Sequence, residues 1–495
     1  MRRAWQGCVL AALLLALSGC AGRYFQDAGA PPGPPQLDLA TWPYREYWTG
    51  VVFNGSKIGC AHVQVTPAAH RGELHEIRAG SALRLRFLGL DKRMTLRSRD
   101  RVRSDLTLAD FDYEYDIDGA RLMLAGRVEG DTLRALVTNA GRTTELALRS
   151  AEPVFPVSAI AMVPALRGLK VGAEYAYAVF SGTAHRIAPV TQRIEGYERS
   201  SLFDGPAWKV ATELFGLSTT TWIDARARPL LDIGLGGVII AGLEDEARAK
   251  RDLTAGALNR NEALLDLAVI RLPEPLGDPR ALNYLKLAIG VPAGTPAPPA
   301  GLSQHCDDKG DRLECQLHSG PVQRAEPPDS QPSAGGAFLE PSLAVPSRDA
   351  EIRALATQLA AGHSEAPAQV RAILAWMQAN IRKEPPDAFS ALDVLRDRRA
   401  ECQGHSYLYA ALARALGIPT RIANGLVYSP ELQGFAFHAW NESLLDGAWI
   451  GVDATLGQLG TDPTHLRIVY GENIADIAPL AAWIGRTRIE VLERR

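Results

Sequence analysis

The sequence predicts a multidomain chain in three parts: an N-terminal all-β domain built on an antiparallel sheet, a small β module, and a C-terminal α+β domain. Three observations predict it. Short alternating apolar runs joined by tight-turn residues fill Tyr44 to Leu253. A stretch rich in Pro, Ser and Gly at 322–337 separates the strand-patterned part of the chain from the helical part. Beyond Ser347, apolar residues recur at helical spacing.

The chain opens with Arg2 and Arg3, then an unbroken apolar run from Val9 to Leu17. At about nine residues the run is too short to span a bilayer and has the length of a signal-peptide core. Leu17-Ser18-Gly19-Cys20 comes directly after it and resembles the bacterial lipobox. That resemblance implies a lipoprotein signal peptide at 1–19, lipidation of Cys20, and attachment to a membrane through that lipid; the alternative is an ordinary signal peptide cut nearby. Ala21, in place of Asp, favours the outer membrane, on its periplasmic side, by the same resemblance. Residues 20–43 read as a tether, because Pro31-Pro32-Gly33-Pro34-Pro35 can be neither helix nor central strand.

Residues 44–255 form the predicted antiparallel β domain. Tyr47 to Phe53, the turn Asn54-Gly55 and Ile58 to Val65 make one hairpin. Leu122 to Val128, Glu129-Gly130-Asp131 and Thr132 to Val137 make another, and Asn139-Ala140-Gly141 supplies the next turn. No catalytic constellation occurs here, so the domain reads as a binding surface, a positioning module or a scaffold. Residues 256–337 read as a small β module with linker, with candidate strands at Leu264 to Ile270 and Leu282 to Ile289. Within it, Cys306 and Cys315 flank the polar turn Asp307-Asp308-Lys309-Gly310-Asp311, which brings the two thiols together as a disulfide in an oxidising compartment. A metal site with His305 is the rival, but the spacing matches no common zinc pattern.

Residues 338–495 form the third part. Val370, Ile373, Leu374 and Met377 follow Pro367 at helical spacing, and Ser390 is placed to cap a short helix through Arg396. Tyr407 to Leu416 is a strong helix former ended by Gly417 and Pro419, which sets Cys402 at or just before a helix start. Unpaired N–H groups there favour thiolate over thiol and can hold an oxyanion. Thr420 to Tyr428 and Phe435 to Leu445 read as strands, and Asp446-Gly447 as a two-residue turn into Ala448 to Asp453. If Leu445 faces Ala448, then Trp440 faces Asp453, and His438 is a same-face diagonal neighbour of Asp453 at roughly 7–8 Å. A carboxylate there holds one imidazole nitrogen and leaves the other for a thiol.

The run from Cys402 through Ala411-Leu412-Ala413-Arg414-Ala415-Leu416-Gly417-Ile418-Pro419-Thr420-Arg421, His438-Ala439-Trp440, Trp449 and Val452-Asp453 resembles the core of the transglutaminase-like superfamily. The resemblance covers about residues 350 to 480. It implies a papain-related fold with Cys402 as nucleophile, His438 as general base and acid, and Asp453 as the group that orients it. Gln458 and Asp462-Pro463-Thr464-His465 resemble the tail of bacterial envelope members. Ala400 departs from the family pattern, where glycine is common two residues before the cysteine; a need for positive φ there would cost stability. The second oxyanion donor is open between Gln403 and Trp376. His405, one turn after Cys402, is placed either to tune the thiol or to pack.

The expected function is thiol acyl transfer, most simply hydrolysis of a peptide or amide bond in an envelope protein or peptide. The alternatives are a dormant domain in a binding or scaffold lipoprotein and a cross-linking transamidase. Lys plus Arg number 53 and Asp plus Glu 56, so no basic excess points to nucleic acid. No glycine-rich phosphate loop or metal motif stands out, so no cofactor is expected.

Overall fold

The computed structural model describes residues 24–33, 37–53, 55–70, 73–87, 90–255, 269–292, 295–324, 334–384, 388–473 and 475–495. The signal-peptide and lipobox readings, including Cys20, therefore lie outside the described residues, as does most of the candidate strand at 264–270.

The N-terminal part is one sixteen-stranded sheet among the described residues. Two runs of consecutive antiparallel strands build most of it, one from Glu46–Phe53 to Arg142–Arg149 and one from Glu174–Ser181 to Ile239–Glu244; Val154–Pro156 adds parallel to Glu174–Ser181, and Phe25–Asp27 pairs with Arg186–Ser200. The two runs join where Ile239–Glu244 pairs antiparallel with Glu46–Phe53. The turns follow the sequence chemistry. Asn139 faces Arg142, and the Ala140-Gly141 pair between them has φ of 49° and 77°, as a tight hairpin turn of the primed kind requires. Burial alternates along Ala120–Glu129 and Thr132–Asn139, so Leu122, Leu124, Leu133 and Val137 share a core with Phe111 and Phe180.

The strand-and-turn reading to Leu253 needs correction at two places: Val163–Arg167 and Glu246–Ala255 are helices. The Asp245 side chain accepts from Arg248 N–H, and Glu246 pairs with Lys250 one turn on. These local contacts outweigh continuation of the sheet in a segment rich in helix formers.

The described residues of 256–337 supply three strands of a small four-stranded sheet and also strands that join the C-terminal sheet. Val269–Arg271 pairs with Gly434–Leu445, and Gln323–Arg324 pairs with Ala448–Asp453. Tyr284–Gly290 lies between Leu313–His318 and the C-terminal strand Arg488–Arg494. Leu285, Leu287 and Ile289 consequently pack with Leu426, Phe435 and Trp483 in one shared core. Strands this short satisfy their backbone groups by joining a neighbour's sheet.

The C-terminal part supplies α1 (Ala350–Ala360), α2 (Ala366–Asn380), α3 (Ala391–Asp397) and α4 (Cys402–Ala415). Its sheet contains β1 (Thr420–Ser429), β2 (Gly434–Leu445), β3 (Ala448–Asp453) and β4 (Leu466–Tyr470), in the order β3-β2-β1-β4. Val370, Ile373, Leu374 and Met377 form the buried stripe of α2, with Pro367 in its first turn. Ser390 caps α3 in a capping box with Asp393. Every residue of α4 from Gly404 to Arg414 is buried, so α4 is the central helix of this part. The two halves meet where Asn139 Nδ2 donates to Asp393 at 3.0 Å and Arg186 pairs with Asp476 at 2.9 Å.

Candidate functional site

The site forms where α4 begins against β2. Asn441 Nδ2 donates to the Ser406 carbonyl at 3.1 Å, and the Tyr409 hydroxyl meets Ser443 Oγ at 2.8 Å, which fixes the helix across the strand. Gly404 permits this close start: a Cβ there would lie 2.6 Å from that of Ala400. Ala400 has no positive φ and sits in the short strand Arg399–Ala400, so alanine costs no backbone strain here.

The β2–β3 hairpin has the expected register, from Leu445↔Ala448 to Asn441↔Val452. His438 Nε2 lies 2.8 Å from Asp453 Oδ2, and the Asp453 carboxyl is fully buried. The backbone N–H of Ala439, the residue beside His438, acts to lower the Cys402 thiol pKa. Fold and register therefore bring His438 against Asp453 on the strand that packs against α4, the helix that Cys402 begins. Cys402 carries no disulfide, whereas Cys306 and Cys315 face each other in a hairpin and are bonded, which removes both thiols from any metal site.

The electrostatics differ from the expectation at Cys402. Burial pushes its thiol pKa well above the ordinary range, and the Glu401 carboxylate raises it further. Glu401 is the N-cap of α4: its side chain accepts from Gln403 N–H and Gly404 N–H, each at 3.0 Å, and from the thiol at 3.3 Å. An anion of the chain itself thus takes the positive end of the helix, and the cysteine rests as a thiol. Glu is an uncommon N-cap, and its position directly before the cysteine was the sequence signal for this role.

Asp453 does more than hold His438. Burial alone would raise its carboxyl pKa, but the imidazoles of His438 and His465 hold it far below the usual range. His465 Nε2 lies 3.2 Å from the same Oδ2, and its Nδ1 faces Asp462. Gln458 Nε2 donates to Asp462 at 2.9 Å. The tail residues Gln458, Asp462 and His465 therefore form a second layer behind Asp453. His405 is fully buried, with Nδ1 bonded to the Glu401 carbonyl at 3.0 Å and no partner for Nε2 among the described residues; burial lowers its pKa. Trp376 lies under the Arg398 guanidinium at 5.0 Å, and nothing in the geometry selects it or Gln403 as an oxyanion donor.

Beneath the sheet, Glu442 is buried and accepts from Arg421 at 2.8 Å, Arg467 at 2.8 Å and the Tyr470 hydroxyl at 2.9 Å. This network ties β1 and β4 to β2, the strand that carries His438. A cleft of about 260 Å³ opens at His438, lined also by Asp278, Arg280, Tyr428 and Glu431. A larger cleft, about 850 Å³, lies between the two halves but contains none of Cys402, His438 and Asp453.

Residues 353–454 match the transglutaminase-like superfamily. Kyphoscoliosis peptidase of Mus musculus is 28% identical over 120 residues, covering 21% of this chain and 17% of that protein. The Homo sapiens protein of that name is 30% identical over 124 residues, covering 21% and 18%. This chain thus spans less than a fifth of the length of these relatives. Among solved structures, a presumed cysteine protease from Cytophaga hutchinsonii is similar at TM-score 0.29 and 20% identity, covering 43% of this chain and 86% of that one. A β-barrel-like protein of a domain of unknown function from Brucella abortus is similar at TM-score 0.33 and 11% identity, covering 40% and 95%. Cys402, His438 and Asp453 all lie within the matched span, and residues 353–454 of this chain are a transglutaminase-like domain.

Proposed function

We propose that this protein is a thiol acyl-transfer enzyme that hydrolyses peptide or amide bonds through a thioester on Cys402. The observation that carries the reading is the His438–Asp453 hydrogen bond at 2.8 Å, on the strand against which the Cys402 helix packs. Because Cys402 rests as a thiol, His438 takes its proton as the sulfur attacks the carbonyl. The S–C bond forms, the C–N bond breaks, and His438 returns the proton to the leaving amine. Water, activated by His438, then opens the thioester. In this reading the acyl chain enters through the cleft at His438, which His438 lines and Cys402 does not. The test is acylation by p-nitrophenyl acetate: release of p-nitrophenolate with acetyl on Cys402, absent in Cys402→Ala and strongly reduced in His438→Ala, supports the reading. Equal release by Cys402→Ala overturns it.

A second reading, a dormant domain in a binding or scaffold protein, is favoured by one observation: Glu401 occupies the helix start and accepts from the thiol. It predicts that no ester acylates Cys402 at any pH where the fold persists. A transamidase is separated from a hydrolase by isopeptide products that require both Cys402 and an added amine.

The localisation we propose is the outer membrane, periplasmic side, through lipid on Cys20. The support is the sequence Leu17-Ser18-Gly19-Cys20 after an apolar run. Labelled palmitate incorporated by the wild type and lost in Cys20→Ala is the expected result; equal labelling of both refutes it.

A further inference from the structure

The Asp453 carboxylate serves two histidines. Oδ2 is 2.8 Å from His438 Nε2 and 3.2 Å from His465 Nε2, while Oδ1 accepts from Leu456 N–H at 2.8 Å. His465 is enclosed, its side chain only 2% exposed. Its other nitrogen, Nδ1, faces acceptors as well: the Asp462 carbonyl at 3.2 Å and Asp462 Oδ1 at 3.3 Å. A neutral imidazole carries a single N–H, so it would turn a lone pair toward one of these carboxylates; an imidazolium donates to both. Asp462 is itself held in place by Gln458 Nε2 at 2.9 Å, Thr464 N–H at 3.0 Å and Thr464 Oγ1 at 2.6 Å. Trp440 closes the space edge-on, its ring 5.2 Å from that of His465.

We infer that His465 is a positioning residue for the acyl-transfer site, a buried imidazolium that bridges Asp453 and Asp462 and sets how Asp453 holds His438. The inference rests on the thiol acyl-transfer reading. Its geometric part is direct: three donors from three directions leave the Asp453 carboxylate one orientation, and that orientation points Oδ2 at His438. Its electrostatic part comes from the charges that face His465, which are Asp453, Asp462 and, across the shared oxygen, His438. Burial would lower the His465 pKa, but the two carboxylates raise it to about 9. Its positive charge, with ring centres 6.4 Å apart, opposes a second positive charge on His438. The Asp453 carboxylate is thereby balanced by a charge that does not depend on His438.

The test uses the purified full chain and p-nitrophenyl acetate, with Cys402→Ala as the control for acetylation elsewhere. His465→Gln keeps a donor toward Asp453 and removes the charge. Asp462→Asn leaves His465 in place and weakens its hold on the proton. Both are expected to move the acid limb of Cys402 deacetylation to higher pH. A unit charge at that distance, in an effective dielectric of about 20–40, corresponds to roughly one to two pH units. His465→Ala, which loses donor and charge together, is expected to deacetylate more slowly than His465→Gln at every pH. A second measurement needs no activity: the unfolding midpoint of the wild type falls from pH 6.5 to 9 as His465 loses its proton, and His465→Gln lacks that fall. An unmoved acid limb in both variants, while the wild type acetylates and turns over, overturns the positioning role. A His465→Gln midpoint that tracks the wild type across that window overturns the imidazolium. Absence of any Cys402-dependent acetylation in the wild type overturns the acyl-transfer reading, and this inference with it.

Discussion

Replacing Asp453 by Asn tests the site at its most buried member. The side chains have nearly the same shape, so the substitution changes chemistry rather than packing. In the native site Oδ1 accepts from Leu456 N–H and Oδ2 lies against His438 Nε2 and His465 Nε2. An amide has one oxygen. If that oxygen keeps the Leu456 N–H, the NH2 group faces both histidines and donates to His438 Nε2. The proton of a neutral His438 then sits on Nδ1, the nitrogen that does not face Asp453, and the imidazole cannot accept the thiol proton. If the amide turns over, the NH2 group meets the Leu456 N–H and two donors oppose each other in a fully buried place. The first arrangement defeats the base, and the second is disfavoured by the two buried donors that face each other. The same substitution in a serine triad lowers turnover by about 10⁴ through the wrong tautomer, which is about 5 kcal/mol of transition-state stabilisation. The expected loss here is roughly 10³–10⁴-fold in Cys402 acetylation and deacetylation with p-nitrophenyl acetate near pH 7.5. Circular dichroism melts establish the folded fraction, because removing one partner of a buried charge pair costs about 3–5 kcal/mol. A folded Asp453→Asn protein within tenfold of the wild type would refute the tautomer argument.

Glu401→Gln removes the charge that raises the Cys402 thiol and opens the helix start to an incoming anion. Alkylation of Cys402 by iodoacetamide at pH 7.5 is expected to speed up; an unchanged or slower rate would show that burial alone sets the thiol. The cap is weakened at the same time, at a cost of about 0.5–2 kcal/mol to the helix. Glu442→Ala leaves Arg421 and Arg467 without the carboxylate they share, and denaturant unfolding is expected to show a loss of about 3–5 kcal/mol, with Glu442→Gln losing less. The pH dependence of stability carries two signs. Asp453 and Asp462 have depressed carboxyl pKa values, so their contribution is present above pH 4 and is lost on acidification below it. His465 has a raised pKa of about 9, so its contribution is complete below pH 6.5 and is lost as the pH rises through 9. A midpoint that rose between pH 6.5 and 9 would contradict the buried imidazolium.

Local chemistry by itself determined much of this protein. Pro367 and the apolar stripe after it specify α2, Ser390 and Asp393 specify the start of α3, and Gly417-Ile418-Pro419 ends α4. Asp446-Gly447 is a two-residue turn, and since side chains alternate along a strand, that turn carries the register outward until His438 and Asp453 meet. Cys306 and Cys315 pair for the same reason, facing each other across a short hairpin. What the chain does over short distances is legible because few alternatives compete.

Tertiary structure decided the rest, wherever the deciding partner is remote or a choice of rotamer. Val269–Arg271 and Gln323–Arg324 join a sheet whose other strands begin at Thr420, and no local pattern says which edge will accept them. β4 pairs with β1 through an irregular register at Gly425, where a Cβ would lie 2.0 Å from the Leu466 carbonyl. That close approach delivers His465 to Asp453. Cys402 at a helix start predicts an acidified thiol; burial first, and then the Glu401 carboxylate at 3.3 Å, reverse the sign.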